Sequence, residues 1–578
     1  MIVLGISGAV SHDPSAALFV DGELVAAAEE ERFIRDKHAK GRYPYEATKF
    51  CLEFAGIKAA DVDVVAFPYA PIPLSSGARW HYAARHWYAP DRALDAIFNG
   101  NRRFRRNLAK TQKLVSELGI ANARIEPVEH HLTHASSAYH LSGFKEKTAI
   151  LGIDGKGEYA TTFFGYGENG HIHKIKEFYD PDSLGGMYGA MTEYLGFEML
   201  DGEFKVMGMA PYGDPRRFDF SRLLDYDKSS FKVNTQLINV IGTRRYKDKN
   251  GKGYFFSPKL IDWLGPKREG DEIDDPYIDY AAAIQQLLED VSLGLIDHYL
   301  GDILRETGKI CYAGGVALNV KLNQRIIARP DVKELFVQPA ASDAGTALGA
   351  AAYVANQRGD DVKPMAHAYL GPHYTTGQCI EACREHERKP SWEVLDDVPA
   401  QTAQILADGN PVAWFQGRME FGPRALGNRS IIGAPNVEGI AERINEQIKY
   451  RERWRPFCPS MLDRVAPQML KTDHPAPYMT FTFDVHDEWK ARVPEVVHED
   501  GTARAQVVTR ESNPRYYTLI EALEKHTGNG VVLNTSLNRR GEPMVCSPTD
   551  ALNMFYGSEL QYLVMEDILV RKQPVADA

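Results

Sequence analysis

Cysteine is scarce in this chain of 578 residues, and a surplus of positive charge is absent. Six cysteines are too few and too scattered for a disulfide framework, which favours a reducing cytoplasm. The formal net charge of −11 argues against wholesale binding to nucleic acid or to an acidic membrane, because both partners need a basic surface. No apolar run approaches the length of a bilayer span. The chain is otherwise of ordinary globular composition and is long enough for two or more packed domains.

A short motif occurs twice. Residues 3–8, VLGISG, recur as residues 150–155, ILGIDG. After each copy, two alternating segments flank a small-residue turn, at residues 21–23 and 167–170, which predicts a β-hairpin. Two such units, with both turns facing the phosphates of a nucleotide, are the plan of the actin-like ATPase fold. Two unrelated hairpins would give the same echo, so this motif leaves both interpretations open.

A third element favours the nucleotide interpretation. A helical pattern over residues 277–304 leads into a buried strand at residues 309–313, followed by Gly314, Gly315 and then Asn319. Paired glycines at the end of a strand let the backbone approach a flat ligand such as adenosine. A pair of glycines is also common in a plain tight turn.

Polar residues with proline and glycine around 357–364 predict a boundary between two α/β domains, residues 1–357 and 367–578. Within the first, residues 74–116 combine Trp80 and Trp87 with an arginine-rich stretch, which predicts a helical insertion. This insertion is either a solvated charged surface or a lid over a binding site.

Two histidines and two aspartates are candidate metal ligands. His130 and His134 are four residues apart, so on a helix they share one face and can hold one cation. The predicted fold directs Asp154 and Asp343 towards the same crevice. Nitrogen and carboxylate ligands together suit Fe(II), Mn(II) or Zn(II) better than Mg(II). Alternatively the histidines are surface or core residues, and Asp343 is the N-cap of a helix that starts at Gly345.

Arginine and lysine are dense in the C-terminal part. Arg424 follows Gly422-Pro423, a rigid approach that suits a guanidinium binding a phosphate through two hydrogen bonds. Lys449 and Arg455 lie in a second cationic run, and Arg504 and Asn534 add further donors. The alternative is a surface ion-pair network with Glu420, Glu442, Glu446 and Glu452.

Taken together, these residues resemble a known family over essentially the full length of the chain. The matching runs are HDPSAAL (12–18), AEEERF (28–33), HHLTHASSAY (130–139), KVMGMA (205–210), AGGVALN (313–319), GPRALG (422–427), RPFCPSML (455–462) and LNTSLN (533–538). They are similar to the NodU/CmcH/TobZ family of O-carbamoyltransferases. The resemblance implies an actin-like, Kae-type (ASKHA) first domain and a smaller α/β, YrdC-like second domain.

The resemblance also implies a division of chemistry. The second domain would cleave carbamoyl phosphate to carbamate, and carbamate would attack ATP to give carbamoyladenylate and pyrophosphate. A hydroxyl of a small natural product would then accept the carbamoyl group in the first domain. Carbamoyl phosphate would be bound by Arg424, Lys449, Arg455, Arg504 and Asn534, with Arg424 also catalytic.

The resemblance assigns the remaining sites to the first domain. The nucleotide, with its Mg²⁺, would be held by Lys37, Asp154, Gly155, Gly314, Gly315, Asn319 and Asp343. Fe(II) or a similar ion would be held by His130, His134, Asp154 and Asp343. His12 would orient or deprotonate the acceptor hydroxyl, since imidazole titrates near working pH.

A small-molecule kinase on the same actin-like fold is the main alternative function. It would leave the cationic residues of the C-terminal part without a role. A tRNA-modifying enzyme would need a basic stripe that the sequence does not have. The acceptor and the oligomeric state are not readable from the sequence.

Overall fold

The computed structural model of the chain describes residues 1–8, 12–452 and 454–572. It divides into two compact units. The first consists of Met1–Val25 and Gly41–Met365, and the second of Ala26–Lys40 and Ala366–Ala578. A short N-terminal segment, Ala26–Lys40, therefore belongs to the C-terminal unit.

The strands run through both units in chain order. The first twelve are β1 (Ile2–Ile6), β2 (Ser15–Val20), β3 (Glu23–Glu29), β4 (Val64–Phe67), β5 (Arg124–Pro127), β6 (Thr148–Ile153), β7 (Ala160–Glu168), β8 (His171–Tyr179), β9 (Leu224–Tyr226), β10 (Phe231–Val233), β11 (Lys309–Ala313) and β12 (Glu334–Val337). The others are β13 (Trp392–Val394), β14 (Val412–Phe415), β15 (Arg429–Gly433), β16 (Cys458–Leu462), β17 (Phe483–Asp484), β18 (Thr502–Ala503), β19 (Gln506–Val508), β20 (Val531–Ser536), β21 (Tyr562–Met565) and β22 (Ile568–Arg571).

The α-helices alternate with these strands. From the N-terminus they are α1 (Glu30–Ile34), α2 (Tyr45–Ala55), α3 (Gly77–Arg85), α4 (Pro90–Asn99), α5 (Arg102–Glu117), α6 (His130–Ser142), α7 (Leu184–Tyr194), α8 (Glu203–Met209), α9 (Pro258–Leu264), α10 (Tyr277–Thr307), α11 (Val320–Ile327) and α12 (Thr346–Gln357). The remainder are α13 (Thr376–Glu385), α14 (Val398–Ala407), α15 (Ile440–Ile444), α16 (Ala466–Met469), α17 (Asp487–Arg492), α18 (Pro514–Thr527) and α19 (Pro548–Tyr556). Among the residues described, no helix combines the length and the apolar character needed to cross a bilayer.

The first unit contains two five-stranded sheets with the same strand order. One is β3-β2-β1-β4-β5 and the other is β8-β7-β6-β11-β12. In each sheet, the central strand is antiparallel to the next strand in the sequence, which is β2 or β7. It is parallel to a later strand on its other side, which is β4 or β11. The two copies of the repeated motif form these central strands, β1 and β6. The duplication confirms the predicted actin-like α/β first domain.

Helix α12 packs closely between β1 and α6 because its residues are small. A methyl group on Gly5 of β1 would lie 2.0 Å from the carbonyl oxygen of Ala347, and one on Gly349 would lie 1.7 Å from that of Thr133. Such backbone approach tolerates only glycine at these positions. The packing holds the first turn of α6 close to the turn that precedes α12.

The second unit is built on a mixed eight-stranded sheet, β13-β22-β21-β14-β15-β20-β16-β19. The strand β14 is parallel to β21 and antiparallel to β15, and β16 is parallel to β19 and antiparallel to β20. Trp414 of β14 is fully buried. The prediction of a smaller α/β second domain is confirmed as to its fold class.

Candidate active site

Four buried side chains of the first unit converge on one point. The Nε2 atoms of His130 and His134 lie 3.1 Å apart, one helical turn from each other on α6. His130 Nε2 lies 3.5 Å from Oδ2 of Asp154 and 3.5 Å from Oδ1 of Asp343. One potential ligand atom from each of the four residues falls within 4.8 Å of the others. The structure thus brings together all four residues predicted as metal ligands.

The geometry of this cluster fits a transition-metal ion. Two imidazole nitrogens each about 2.0–2.1 Å from one ion would lie roughly 3 Å apart, as the two Nε2 atoms do. If no cation is bound, the two Nε2 atoms can share at most one proton, although two carboxylates are buried beside them. Two nitrogen and two oxygen donors match Fe(II), Mn(II) or Zn(II) better than the harder Mg(II).

The charges of the cluster perturb one another strongly. Burial favours the neutral form of His130, but Asp343 and Asp154 outweigh it and raise the pKa of His130 to about 9. Burial, with the nearby charge of His130, lowers the pKa of His134 well below its usual value. Burial also raises the pKa of Asp343 to about 6, whereas a hydrogen bond from His130 holds the pKa of Asp154 low in spite of burial. A cation placed among these groups would compete with their protons.

Backbone contacts fix these ligands in place. The N–H of His130 donates to the buried carboxylate of Glu158 at 3.2 Å, and this carboxylate also accepts from the N–H of Ala70. Asp343 lies in a 3-10 turn, Asp343–Gly345, and Gly345 rather than Asp343 is the N-cap of α12. The alternative interpretation of Asp343 as a helix cap is therefore wrong. Glu158 was not identified from the sequence, because it belongs to no helical or metal-binding pattern.

His12 lies at the edge of the cluster. Its Nε2 is 3.8 Å from Oδ2 of Asp343, and its Nδ1 is 3.2 Å from Oδ2 of Asp13. Burial opposes protonation of the ring, but Asp343 and Asp13 raise the pKa of His12 to about 9. The structure thus places His12 beside the predicted metal ligands.

The predicted nucleotide-binding glycines close onto Asp154. The N–H of Gly315 donates to Oδ1 of Asp154 at 2.9 Å, and Gly314 has a φ of +96°, which favours glycine. A methyl group on Gly314 would lie 2.3 Å from the carbonyl oxygen of Ile153. The two glycines therefore leave backbone, and no side chain, facing the turn after β6.

Asn319 has structural partners of its own. It is the N-cap of α11, where its Oδ1 accepts the N–H of Leu322 at 3.0 Å, and its amide group exchanges hydrogen bonds with Gln285. Gly155 accepts a hydrogen bond from Ser183 through its carbonyl oxygen, and its Cα side is open. Both residues follow the same strands as Asp154 and Gly315.

The second unit contains a cluster of cations that could hold an anion, which we call the anion cluster and define as Arg424, Lys449, Arg451, Arg455 and Arg504. Lys449 is buried, and the four arginines are partly buried. Burial and the charge of Arg504 lower the pKa of Arg424. Burial and the charges of Arg451, Arg455 and Lys37 lower the pKa of Lys449. Burial and the charges of Arg455 and Arg504 lower the pKa of Arg451. The cluster combines four of the residues predicted to bind an anion.

Few carboxylates offset these charges. Over residues 1–8, 12–452 and 454–572, the Arg424 guanidinium has no hydrogen-bond or ion-pair partner. Lys449 Nζ donates to the uncharged oxygens of Ser536 and Asn538, including Oδ1 of Asn538 at 2.7 Å. Arg455 lies 3.6 Å from Glu452. Clustered cations that include an unpartnered guanidinium predict that an anionic ligand binds here.

Asn534, the fifth predicted residue, lies beside the cluster on β20. Its Nδ2 donates to the carbonyl oxygen of Ala425 at 3.2 Å and to Ser460 Oγ at 2.9 Å, while its buried Oδ1 has no partner among the described residues. It pairs in register with Cys458, whose Sγ accepts a hydrogen bond from Arg504 Nε at 3.0 Å. An amide oxygen without a donor suits a ligand that carries an amino group.

Sequence reasoning missed some members of this region. Arg451 was part of a cationic run but was not singled out, although one of its guanidinium nitrogens is buried without a partner in the described structure. Lys37 was predicted to hold the nucleotide, yet it belongs to the second unit, where its charge acts on Lys449. The only sequence signal for Arg451 was its positive charge, whereas Lys37 was predicted from the family resemblance.

The insertion predicted at residues 74–116 is helical, and it comprises α3, α4 and α5. Asp182 ties α3 to the first unit, because it pairs with Arg85 and its Oδ2 lies 2.9 Å from Nε2 of His81. Trp80 and Trp87 are 53% and 73% exposed. The structure of the insertion is compatible with a solvated surface and with a lid.

Comparison with known proteins gives consistent matches. Residues 2–352 match the family profile described as the carbamoyltransferase N-terminus, and residues 403–572 match the carbamoyltransferase C-terminus. The chain is 38% identical to an uncharacterized protein of Synechocystis sp., across 99% of this chain and 96% of that protein. It is 35% identical to nodulation protein NolNO of Sinorhizobium fredii, across 99% and 83%, and 25% identical to nodulation protein U of Rhizobium tropici, across 100% and 97%.

Among solved structures, similarity is weaker. The HypF structure from T. kodakarensis is 13% identical with a TM-score of 0.30, over 62% of this chain and 48% of that chain. The YeaZ structure from Pseudomonas aeruginosa is 17% identical with a TM-score of 0.19, over 31% and 67%. Scores this low carry no argument, so the fold assignment depends on the duplicated strand order.

Proposed function

Because the chain belongs to the carbamoyltransferase family, we propose that it activates the carbamoyl group of carbamoyl phosphate with ATP and transfers it to a hydroxyl of a small natural product, such as an antibiotic, a toxin or a sugar-containing metabolite. Similarity to two nodulation proteins over 99% and 100% of this chain supports membership of the family, and the small hydroxyl acceptor is what the resemblance to the NodU/CmcH/TobZ family implies. We assign residues 1–357 to the nucleotide and acceptor and residues 367–578 to carbamoyl phosphate.

The observation that carries this proposal is the anion cluster with its shortage of carboxylates. A phosphate dianion would satisfy Arg424, Arg455 and Arg504, since guanidinium groups bind phosphate oxygens in pairs. The unpartnered Oδ1 of Asn534 would accept a hydrogen bond from the carbamoyl amine. Lys449 would stabilise the charge that develops as the bond between the carbonyl carbon and the phosphate oxygen breaks.

The proposed reaction has three steps. Water cleaves carbamoyl phosphate to carbamate and phosphate within the second unit. A carbamate oxygen then attacks the α-phosphorus of ATP, so that pyrophosphate leaves and carbamoyladenylate forms. Finally the acceptor hydroxyl attacks the carbonyl carbon, AMP leaves, and the hydroxyl proton passes to a base. Carbamate decomposes in water and is a poor electrophile, which is why a mixed anhydride is needed.

In the first unit, the turns after β6 and β11 would face the nucleotide, with Asp154, Gly155, Gly314, Gly315, Asn319 and Asp343 as its proposed contacts. His130, His134, Asp154 and Asp343 would hold Fe(II), with Mn(II) or Zn(II) as alternatives, and Mg²⁺ would accompany ATP. Such an ion, when bound, polarises phosphate oxygens. His12 would orient or deprotonate the acceptor hydroxyl. Lys37 stays a proposed nucleotide contact on the basis of the family resemblance.

The test is isotope exchange between pyrophosphate and ATP. We expect this exchange to require carbamoyl phosphate but no acceptor. Arg424→Ala should abolish it, because the anion loses its unpaired guanidinium, whereas His12→Ala should preserve it and block only transfer. Arg443→Ala, which removes an arginine of α15 outside the anion cluster, is the matched control and should leave exchange intact.

A kinase on the same fold makes the opposite prediction. It would convert ATP to ADP in the presence of a hydroxyl compound and would ignore carbamoyl phosphate. Formation of ADP without pyrophosphate exchange would therefore refute the proposed activity. Equal loss of exchange in Arg424→Ala and His12→Ala would refute the division of roles between the two residues.

A further inference from the structure

The segment Ala26–Lys40 carries an unusual set of buried charges. Glu29, Glu30, Glu31 and Arg32 are each less than 10% exposed. Arg32 lies 3.1 Å from both Glu29 and Glu31, in a pair of buried ion pairs. Buried ion pairs add little net stability, because desolvation offsets most of their attraction. A role in fixing a neighbouring group is therefore worth seeking.

The neighbouring group is the backbone of Gly422. Its N–H donates to Oε1 of Glu29 at 2.9 Å, and its carbonyl oxygen accepts from Nη2 of Arg32 at 3.0 Å. Gly422 has a φ of +116°, a conformation that is accessible chiefly to glycine. Both polar atoms of this one residue are thus held by the Glu29–Arg32 ion pair.

The loop that carries Arg424 runs from Gly422 to Arg429, and Glu420 holds its other end. One oxygen of its carboxylate accepts the N–H groups of Leu426, Asn428 and Arg429 at 2.7, 2.9 and 3.2 Å. Arg424 lies between the two anchors, directly after Pro423, whose ring fixes φ. The backbone that carries Arg424 is therefore restrained on both sides, while its guanidinium has no partner in the described part of the chain.

Hydrophobic contacts reinforce this restraint. Phe33 packs against a small buried cluster that contains Ala425, the residue after Arg424, together with Met419, Met544 and Cys546. Arg35, one turn further, donates to the carbonyl oxygens of Met544 and Pro543 at 2.6 and 2.8 Å and does not touch Gly422. The segment thus contacts the Arg424 loop through Gly422 and through the cluster that contains Ala425, whereas Arg35 binds backbone oxygens outside that loop.

We propose that Glu29 and Arg32 are positioning residues that set the location of Arg424, so that the N-terminal run AEEERF completes the phosphate subsite of the second unit. This inference rests on the proposed binding of carbamoyl phosphate there. A guanidinium that binds phosphate through two hydrogen bonds tolerates little displacement, and a shift of about 1 Å costs up to roughly 100-fold in rate. The ion pair acts through Gly422 and does not contact the substrate.

Conservative variants test this role in pyrophosphate exchange with the full chain. Glu29→Gln retains an acceptor for the Gly422 N–H but loses the negative charge that orients Arg32. Arg32→Lys retains the positive charge but loses the planar set of guanidinium donors. We expect each to raise KM for carbamoyl phosphate about tenfold. KM for ATP should stay within about twofold of its original value, because Glu29 and Arg32 act on the carbamoyl phosphate subsite. Loss of folded enzyme would instead lower kcat and leave both KM values unchanged.

Arg35→Ala is the matched control. It removes an arginine of the same segment with two carbonyl hydrogen bonds, but leaves the Gly422 contacts intact, so KM for carbamoyl phosphate should be unchanged. Glu29→Ala, which removes the acceptor as well, should have a larger effect than Glu29→Gln. Thermal unfolding of every variant identifies losses that are due to misfolding.

The outcomes separate the two proposals. If the unmodified enzyme shows no exchange that depends on carbamoyl phosphate, the proposed function is wrong. Normal exchange in that enzyme, with unchanged KM in Glu29→Gln and Arg32→Lys, would overturn the positioning role alone. An equal rise in KM for carbamoyl phosphate in Arg35→Ala would also overturn it, because general docking of the segment would then explain the effect.

Discussion

His130 and His134 could be paired from sequence because helical spacing places i and i+4 on one face. Their contact at 3.1 Å follows from α6 starting at His130 itself, where Glu158 accepts the first N–H. The two carboxylates come from the turn after β6 and from the 3-10 turn before α12, and only the tertiary fold brings them to the histidines. Residue type and spacing therefore predicted the donors, and packing assembled them.

A variant of His130 tests the proposed metal site. His130→Gln should lower the transition-metal content of the purified enzyme about tenfold or more, because loss of even an outer-shell partner costs roughly 10–100-fold in affinity. Elemental analysis by mass spectrometry measures the content. His131→Gln, on the same helix but outside the cluster, is the control and should keep its metal. Unchanged metal in His130→Gln would refute the ligand set.

Helix α3 is anchored to the rest of the first unit by the carboxylate of Asp182. Asp182 accepts from Arg85 at 2.7 Å and from the N–H of Val233 at 2.8 Å, and lies beside His81. Burial opposes its ionisation, but these partners keep the pKa of Asp182 below its ordinary value of 3.8. The ionised group therefore stabilises the fold above about pH 4, and that contribution is lost as the pH falls through its lower folded value.

Replacing this anchor should loosen the insertion. Asp182→Asn should reduce the free energy of unfolding by about 1.5–3 kcal/mol at pH 7, the range for hydrogen bonds to charged groups. Urea unfolding measures the loss, and the difference from the unmodified protein should shrink below about pH 4. Asp262→Asn, at an exposed aspartate of α9, should change stability by less than about 0.5 kcal/mol. A difference independent of pH would contradict this account.

Most helices and strands near the candidate site could be predicted from local sequence patterns. The hairpins after β1 and β6, the long helix α10 and the strand β11 lie where alternation and helical spacing predicted them. Segment Ala26–Lys40 was not assigned to the second unit, since its charged run reads locally as a solvated helix. Its contacts with Gly422 join residues almost 400 positions apart, which no local pattern encodes.

At the scale of the whole molecule, the anion cluster should cost stability. Each buried cation without an anion repels its neighbours, and replacing buried charges by apolar groups is often neutral or stabilising by about 1–4 kcal/mol. Function and stability therefore oppose each other in this part of the second unit.

Arg424→Met should consequently raise the thermal unfolding temperature in phosphate-free buffer while abolishing exchange. Adding inorganic phosphate should stabilise the unmodified enzyme, because a ligand bound only to the folded state shifts unfolding by mass action. The variant should respond much less. Differential scanning calorimetry measures both effects, with Arg443→Met as the control, and equal stabilisation of both proteins by phosphate would contradict the assignment.

Local sequence patterns were enough to predict the family, the two α/β domains and the residue types of both candidate sites, because glycine turns, i and i+4 histidines and dense arginines are local features. Three results needed the folded chain: which residues lie together, that Asp343 lies in a turn rather than capping α12, and that the Glu29–Arg32 pair holds Gly422. These outcomes depend on burial and on contacts between distant strands, where desolvation makes each partner matter.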